Sequence, residues 1–510
     1  MHERRVKNEA ASSAQPCPDS SNSGWTEHGR IITDDGERAS MNIIQITPGA
    51  GGMFCGGCFR DNAMVAALRK LGHNAAMVPL YLPMTLDEED HSQGTPIFFG
   101  GINVYLQQKS GFFGKLPQWL HRALDSPRLL KWAAGSAANT RPSQLGELTL
   151  SMLQGEQGRQ QRELDELVVW LKDHFKPDVI CLSNALLLGL ARRLKKELGA
   201  PVVCLLAGED SFLDSLPEPF RKRSWQTAAE RAQEADRFVA ASHYYGAAMG
   251  ERLNLKPDQI RVVYGGVNLD GYQPAHALPN PPVLGYFARM CKEKGLSTLV
   301  EAFIHLKQRN RVKDLRLRVG GGLSPVDEAT LVRGLKERLH THGLSGQVDF
   351  CPNLNRVQKQ EFFRSLSVLS VPALYGEAFG LYLIEAWASG VPVVQPRHAA
   401  FPELVELSQA GVLCDPGDVA ALADSLEQLL LDPGLMRALG QAGRAAALEK
   451  FSIEGMAKDM ARVFQEAVHG TSDSSAASPR TAAADGAGAS RSRDPAPASN
   501  QRSSGNSPFS

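Results

Sequence analysis

Short apolar runs alternate with helical patterns along most of the chain, and this alternation constrains the fold more than any other feature. Strands that alternate with helices are typical of parallel sheets covered by helices on both faces. The predicted strands form two series: 42–46, 75–80, 178–182, 201–206, 238–241 and 260–263, then 283–288, 315–319, 347–350, 367–371, 391–394 and 411–414. Between the series, residues 273–282 hold four prolines, which neither pair in a sheet nor continue a helix. The sequence therefore predicts an α/β protein with two Rossmann-like, doubly wound domains, at 41–272 and 283–450, joined by a proline-rich linker.

The composition excludes several classes of protein. The 510 residues include 55 Lys and Arg against 55 Asp and Glu, so the formal net charge is zero. Nucleic-acid binders usually carry a basic excess, so a nucleic-acid partner is not expected. The eight cysteines are too few for a disulfide scaffold. No apolar run approaches the ~18 residues of a membrane span, and the first thirty residues lack the apolar stretch of a signal peptide. We expect a cytoplasmic protein with disordered tails at 1–40 and 471–510, where polar and small residues dominate.

The segment from Val371 to Ala386 runs from a strand end through a glycine-containing turn into a helix. Glu377 is expected just before this helix and Glu385 two turns into it. Gly380 and Leu381 would present free backbone N–H groups at the helix start, where the helix dipole favours a phosphate. The two carboxylates could then accept hydrogen bonds from sugar and ribose hydroxyls on either side of a bound diphosphate.

A second motif precedes this one. Gly285 to Gly295 places Arg289 at the end of a strand and Lys294 near the next helix start. Two fixed cations in these positions could stabilise a departing diphosphate without a metal, because the charge that develops in the transition state needs compensation. Alternatively, the two could form a solvated cationic edge.

Together, in this order and separation, the two motifs resemble retaining glycosyltransferases of family 4, which have the GT-B fold. The resemblance covers roughly 41–469 and includes these further segments: Gly56-Gly57, Pro177-Asp178-Val179-Ile180, Gly265-Gly266-Val267-Asn268, Asp415-Pro416-Gly417-Asp418 and Phe451-Ser452. It implies that residues 283–450 bind the donor, that 41–272 bind the acceptor, and that a terminal helix at 451–470 packs back on the first domain.

The resemblance also implies roles for individual residues. Glu377 would contact the transferred sugar and Glu385 the nucleotide ribose, while Arg289 and Lys294 would bind the diphosphate. The remaining donor-binding positions implied by the motifs are Phe379, Gly380, Leu381, Gly56 and Gly57. The expected reaction moves a hexose from a UDP-, GDP- or ADP-sugar to an acceptor hydroxyl of a glycan, a lipid or a small molecule, with retention of configuration and with no metal or other cofactor.

One position departs from the family pattern. Many members carry a histidine after the strand at 201–206, and Ala207 stands in its place. Glu209 or Asp210 could substitute, and His398 is expected to face the cleft as a further candidate for acceptor binding. Without the histidine, a non-catalytic sensor of sugar nucleotides is an alternative function.

Two other segments allow more than one interpretation. Cys55 and Cys58 have the C-x-x-C spacing of a redox pair, so a thiol redox enzyme is a second alternative, although no partner set completes a zinc site. The stretch from Lys115 to Trp132 mixes basic residues with tryptophans. It suits peripheral contact with a membrane or a lipid-linked acceptor, and it suits a helical cap over the acceptor cleft equally well.

Overall fold

A computed structural model describes residues 40–49, 56–82, 86, 88–92, 95–99, 142–323 and 327–476. Cys55, the stretch from Lys115 to Trp132 and nearly all of the two predicted tails lie outside these residues. Contacts divide the chain into a unit that ends at Val468 and a second unit from His469 to Ser510.

All twelve predicted strands are present. They are β1 (Asn42–Thr47), β2 (Asn74–Pro79), β3 (Val179–Leu182), β4 (Val202–Leu206), β5 (Arg237–Ala240), β6 (Ile260–Val262), β7 (Val283–Phe287), β8 (Arg316–Gly321), β9 (Val348–Pro352), β10 (Val368–Leu369), β11 (Val393–Pro396) and β12 (Gly411–Cys414). The strand predicted at 367–371 spans two residues only, and beyond it the Val371 N–H donates to the side-chain oxygen of Gln395 rather than to the backbone of a neighbouring strand.

The described helices cover the faces of the sheets. In the first half they are α1 (Gly56–Lys70), α2 (Pro142–Gln154), α3 (Gln161–His174), α4 (Ala191–Leu198), α5 (Asp210–Ser215), α6 (Phe220–Ala232) and α7 (His243–Arg252). In the second half they are α8 (Leu296–Arg309), α9 (Asp327–Thr341), α10 (Arg356–Arg364), α11 (Leu381–Ala388), α12 (Phe401–Ser408), α13 (Val419–Leu430), α14 (Pro433–Lys450) and α15 (Ile453–Ala476). Among the residues that the structure describes, no helix is both long enough and apolar enough to cross a bilayer.

The strands form two six-stranded sheets in which every pair is parallel. Their orders are β2-β1-β3-β4-β5-β6 and β12-β11-β10-β7-β8-β9. The predicted α/β architecture of two doubly wound domains is therefore confirmed. Strand order reverses between β1 and β3 in the first sheet and between β7 and β10 in the second. Ligands of such sheets bind beyond the carboxyl ends of the strands at these switch points.

Packing explains why these segments read as nearly continuous apolar runs. The central strands are buried on both faces, as parallel sheets require. On one face of the first sheet, Met460 and Phe464 of α15 pack with Ile43 of β1. Tyr272, at the end of the predicted first domain, is 1% exposed and packs in the core of the second sheet.

Polar contacts join the two halves of the chain at the N-terminus of α7. Glu403, in the first turn of α12, accepts hydrogen bonds from the backbone N–H groups of His243 and Tyr244, at 2.9 and 3.1 Å, and from the Tyr264 hydroxyl at 2.9 Å. Its carboxylate thus lies at the N-terminus of α7, where the helix dipole favours negative charge. The Ser242 hydroxyl donates to the Ala378 carbonyl at 2.7 Å, which joins the N-cap of α7 to the loop before α11.

Candidate active site

A cavity of about 230 Å³ lies between the carboxyl ends of the two sheets. Its walls come from both halves of the chain: Gly56, Phe59, Arg60, Asn62, Ala63, Leu86, Glu88, Gly266, Val267, Asn268, Tyr272, Phe287, Ala288, Arg289, Gly321, Gly322, Asn353, Leu354, Arg356, Lys359, Leu381, Tyr382 and Glu385. The helices that follow β1 and β10 both begin at this cavity, as switch-point geometry requires.

Arg289 follows β7 and reaches the cavity with a side chain that is 65% exposed. Its Nε lies 3.3 Å from a carboxylate oxygen of Glu328 on α9. The loop that carries it is closely packed, because a Cβ on Gly321 would lie 1.9 Å from the Ala288 carbonyl oxygen. Arg289 is therefore a cation on a constrained loop with an accessible guanidinium.

Glu377 lies in the loop before α11 and is 7% exposed. Its Oε2 accepts from Lys294 Nζ at 2.6 Å and from the Tyr382 hydroxyl at 2.9 Å. Lys294 also donates to the Tyr375 hydroxyl. Burial and the nearby Glu377 carboxylate raise the pKa of both tyrosines well above the usual range, so their hydroxyls stay protonated. The loop thus holds one oxygen of Glu377 with an ammonium and a phenol.

Glu385 lies one turn into α11, rather than the two turns expected, because α11 begins at Leu381. It is 8% exposed and lines the cavity. Its Oε1 accepts from the Tyr272 hydroxyl at 2.7 Å and lies 2.9 Å from Lys359 Nζ. Both contacts fall on one oxygen, so Oε2 is the oxygen available to a ligand.

The start of α11 supplies backbone donors to the same region. Gly380 is its N-cap and has a φ of 90°, a conformation that residues with a Cβ rarely adopt. The N–H groups of Leu381 and Tyr382 are in the first turn, where no acceptor exists within the helix. Phe379 points elsewhere: its ring packs against Tyr264 and Phe451, with centroids 6.3 and 6.0 Å away.

The first domain faces this region with the N-terminus of α1. Gly56 is exposed and lines the cavity, and Gly57 follows it in the first turn. Arg60 is oriented by its neighbours, since its Nη2 lies 2.7 Å from Asp61 and 3.1 Å from the Ser183 carbonyl oxygen. Cys58 is buried on the same helix. Its predicted redox partner, Cys55, lies outside the described residues.

Glu209 and Asp210, the proposed substitutes for the family histidine, have structural contacts. Glu209 is buried, and its two oxygens accept from the backbone N–H groups of Ala185 and Ala207 at 2.9 and 2.7 Å. Burial raises the pKa of Glu209, against the opposing effect of these hydrogen bonds. Asp210 accepts from the Tyr245 hydroxyl at 2.9 Å. Neither residue is among those that line the cavity described above.

His398 follows β11 and is half-buried, and it too is not among the residues that line this cavity. Ala207 is exposed at the end of β4, and the adjacent Gly208 approaches Ala378, so a Cβ on Gly208 would lie 4.0 Å from that of Ala378. Gly208, the residue next to Ala207, therefore lies close to the loop that carries Glu377.

Sequence reasoning missed several cavity residues. Arg356 at the start of α10 pairs with Glu88 of the first domain, and Asn268 Nδ2 donates to the same Glu88 oxygen at 3.1 Å. Lys359 and Tyr272 were missed as well, since neither belongs to a motif. The described residues include no group of three or more His, Cys, Asp or Glu side chains that could hold a metal ion.

Two family models match the chain. Residues 152–270 match the model described as glycosyltransferase family 4, and residues 272–446 match the model described as glycosyl transferases group 1. Between them they take in more than half of the chain. The chain therefore belongs to glycosyltransferase family 4, as the motifs predicted.

Curated relatives agree with this assignment. The chain is 30% identical over 275 residues to the D-inositol 3-phosphate glycosyltransferase of Streptomyces scabiei, which covers 50% of this chain and 59% of the relative. It is 31% identical over 216 residues to the MMP alpha-(1->4)-mannosyltransferase of Mycolicibacterium hassiacum, which covers 42% and 50%. The chain thus spans about half the length of the curated relatives it matches.

Solved structures share the fold. Sucrose-phosphate synthase from Thermosynechococcus elongatus superposes with a TM-score of 0.61 at 19% identity, covering 84% of this chain and 99% of that one. HepE from Anabaena, solved with UDP and glucose, superposes with a TM-score of 0.58 at 16% identity, covering 83% and 99%. The predicted GT-B fold is confirmed.

Proposed function

We propose that the chain is a retaining glycosyltransferase that moves a hexose from a nucleoside diphosphate sugar to an acceptor hydroxyl. One observation carries the proposal: Arg289, the start of α11 and the carboxylate of Glu385 meet at the switch point of the second sheet, across one cavity from the start of α1. This arrangement offers separate groups for a diphosphate, for a diol and for an acceptor.

The donor would lie along the second sheet. Its diphosphate would bind between Arg289 and the free N–H groups of Leu381 and Tyr382, where the helix dipole adds positive potential. The ribose would bind Glu385 and the sugar would bind Glu377. HepE was solved with UDP, and the donor nucleotide of this chain is proposed within the UDP, GDP and ADP set.

The acceptor would enter from the side of α1. The bond between the anomeric carbon and the diphosphate oxygen breaks, the acceptor oxygen bonds to the same face of that carbon, and the acceptor proton passes to the departing diphosphate. In this proposal Glu377, one of whose oxygens is held by Lys294 and Tyr382, binds the sugar and forms no covalent intermediate. The protein then acts mainly by positioning its substrates and by stabilising charge.

The proposed reaction needs no metal ion. Arg289 and the N-terminus of α11 would supply positive charge near the leaving diphosphate, which is the contribution that a metal makes in other transferases. Activity should therefore persist in EDTA. Loss of activity in EDTA that Mg²⁺ or Mn²⁺ restores would refute this part of the proposal.

The direct test is release of nucleoside diphosphate from UDP-glucose, GDP-mannose and ADP-glucose, with inositol phosphates and simple sugars as acceptors. Wild type should turn over at least one donor, and Arg289→Ala should lower kcat/KM for it by roughly 100-fold, since it removes a charge-assisted contact. Arg364→Ala, which removes an exposed arginine from α10, is the matched control. Equal turnover by wild type and Arg289→Ala would count against the proposal.

Ala207 supports one alternative, a sugar-nucleotide sensor without transferase activity. Ala207 stands where many family members carry a histidine, and its neighbour Gly208 lies close to Ala378 in the loop of Glu377. Calorimetry that shows nucleotide-sugar binding, combined with no product for any donor and acceptor pair, would favour the sensor. Gain of turnover in Ala207→His would strengthen that conclusion.

A further inference from the structure

The two glutamates of the donor region are held in the same way. In each, a single oxygen is held by one lysine ammonium and one tyrosine hydroxyl. For Glu377 the pair is Lys294 and Tyr382. For Glu385 it is Lys359 and Tyr272, at 2.9 and 2.7 Å. The family motifs account for the first lysine, and they do not account for the second pair.

Lys359 lies one turn into α10, with a side chain that is 13% exposed. Its Nζ also lies 5.7 Å from the centre of the Phe59 ring on α1, across the cavity. An ammonium that is largely removed from water needs a negatively charged partner, because burying an unpaired charge is costly. The Glu385 carboxylate supplies it, and it receives the same benefit in return.

Tyr272 reaches Glu385 from the segment that joins the two sheets. Its side chain is buried, and its backbone carbonyl accepts from Arg444 on α14 at 3.0 Å. Its ring packs against Phe363, with the centroids 6.3 Å apart. The phenol is therefore fixed from both ends, and its hydroxyl has a defined direction towards Glu385.

We propose that Lys359 and Tyr272 are positioning residues that make Glu385 selective for the ribose diol of the donor nucleotide. With Oε1 fixed by two donors, Oε2 keeps one orientation towards the 2′- and 3′-hydroxyls. A carboxylate that is held beforehand loses less entropy on binding, so it discriminates more strongly between ribose and deoxyribose. This inference rests on the proposed function, because it assumes that a nucleoside diphosphate binds the cavity.

The test measures a ratio of affinities by calorimetry on the full chain. UDP, GDP and ADP are screened, and the tightest binder is compared with its 2′,3′-dideoxy analogue. Wild type should bind the ribonucleotide roughly 10- to 100-fold more tightly, the range for hydrogen bonds to a charged group. Lys359→Met and Tyr272→Phe should each lower this ratio to about 3-fold or less, and Lys359→Arg should restore part of it.

Controls separate positioning from a structural role. Lys313→Met removes an exposed lysine from the same domain and should keep the wild-type ratio. Glu385→Gln should lose the ratio, and adding Lys359→Met to it should change the ratio no further, since both act through one carboxylate. A purely structural effect would weaken the binding of both nucleotides equally and leave the ratio of their affinities unchanged.

The outcomes distinguish this inference from the proposed function. A wild-type ratio in both Lys359→Met and Tyr272→Phe would overturn the inference, as would a wild-type ratio in Glu385→Gln, while nucleotide binding itself would stand. Should wild type bind none of the three nucleotides, the proposed function fails first. Tyr272→Phe keeps the packed ring, so it remains informative if Lys359→Met does not fold.

Discussion

Replacing Glu377 by glutamine tests a largely buried ion pair of the candidate site. The pair joins Lys294 and Glu377 at 2.6 Å, with side chains 18% and 9% exposed. Removing one partner of a buried pair leaves the other charge without compensation, which costs about 3–5 kcal/mol. Glutamine keeps an oxygen acceptor, so we expect a loss near 3 kcal/mol in the free energy of unfolding. For a domain of this size that corresponds to a fall of roughly 6–12 °C in Tm.

The same substitution should lower activity through a different interaction. If Glu377 accepts a hydrogen bond from the transferred sugar, losing its charge removes about 1.5–3 kcal/mol of transition-state binding, or roughly 10- to 150-fold in kcat/KM. Glu361→Gln, on the exposed face of α10, is the matched control for both measurements.

The double variant Glu377→Gln/Lys294→Met decides between the two effects. It leaves no unpaired charge, so its loss of stability should be smaller than the sum of the single losses by at least about 1 kcal/mol. Its activity should stay as low as that of the worse single variant. Additive stability losses would show that the pair is absent in solution, and a double variant with restored activity would refute the role of Glu377 in sugar binding.

Three further substitutions test other parts of the structure. Glu403→Ala removes the acceptor of three hydrogen bonds between the two halves, including that from Tyr264. It should lower the free energy of unfolding by about 1–3 kcal/mol in chemical denaturation and should speed limited proteolysis. An unchanged rate of cleavage would contradict this contact. Gly380→Ala forces a Cβ onto a residue with a φ of 90° and should lower the free energy of unfolding by about 1–2 kcal/mol and reduce kcat/KM. Gly334→Ala is the control, because a Cβ at Gly334 meets open space, and it should change neither quantity. Burial raises the pKa of Glu209 above its ordinary 4.5, so the folded state binds this proton more readily than the unfolded state. Wild type should therefore gain stability relative to Glu209→Gln as the pH falls from above the raised folded-state pKa towards 4.5, and a constant difference in denaturation midpoints over that range would contradict it.

The sequence determined the architecture of this protein. Central parallel strands are buried on both faces and are apolar at nearly every position, and the alternation of apolar runs with helical patterns located all twelve strands. The positions of the loops after β7 and β10 could also be predicted, because glycines and charged residues at a strand end and a helix start are local features of the sequence. Gly380 illustrates this: its positive φ at the N-cap of α11 depends on its own backbone.

Only the tertiary structure decided which groups those residues meet. The motif grouped Phe379 with the donor-binding residues, and the structure shows that its ring packs with Tyr264 and Phe451. Glu209 was a candidate ligand, yet backbone N–H groups occupy its oxygens. A side chain's direction depends on neighbours that the local pattern does not contain.

The partners of the two glutamates show the physical reason. Lys294 and Glu377 are 83 residues apart in the chain, and Tyr272 and Glu385 are 113 apart. No local periodicity relates such positions, and their distance is set by how two helices and a linker pack around the second sheet. The sequence alone predicted a nucleotide site around the two glutamates. The fold determined that each of these carboxylates is held by a lysine and a tyrosine, because only packing brings distant polar groups together out of water.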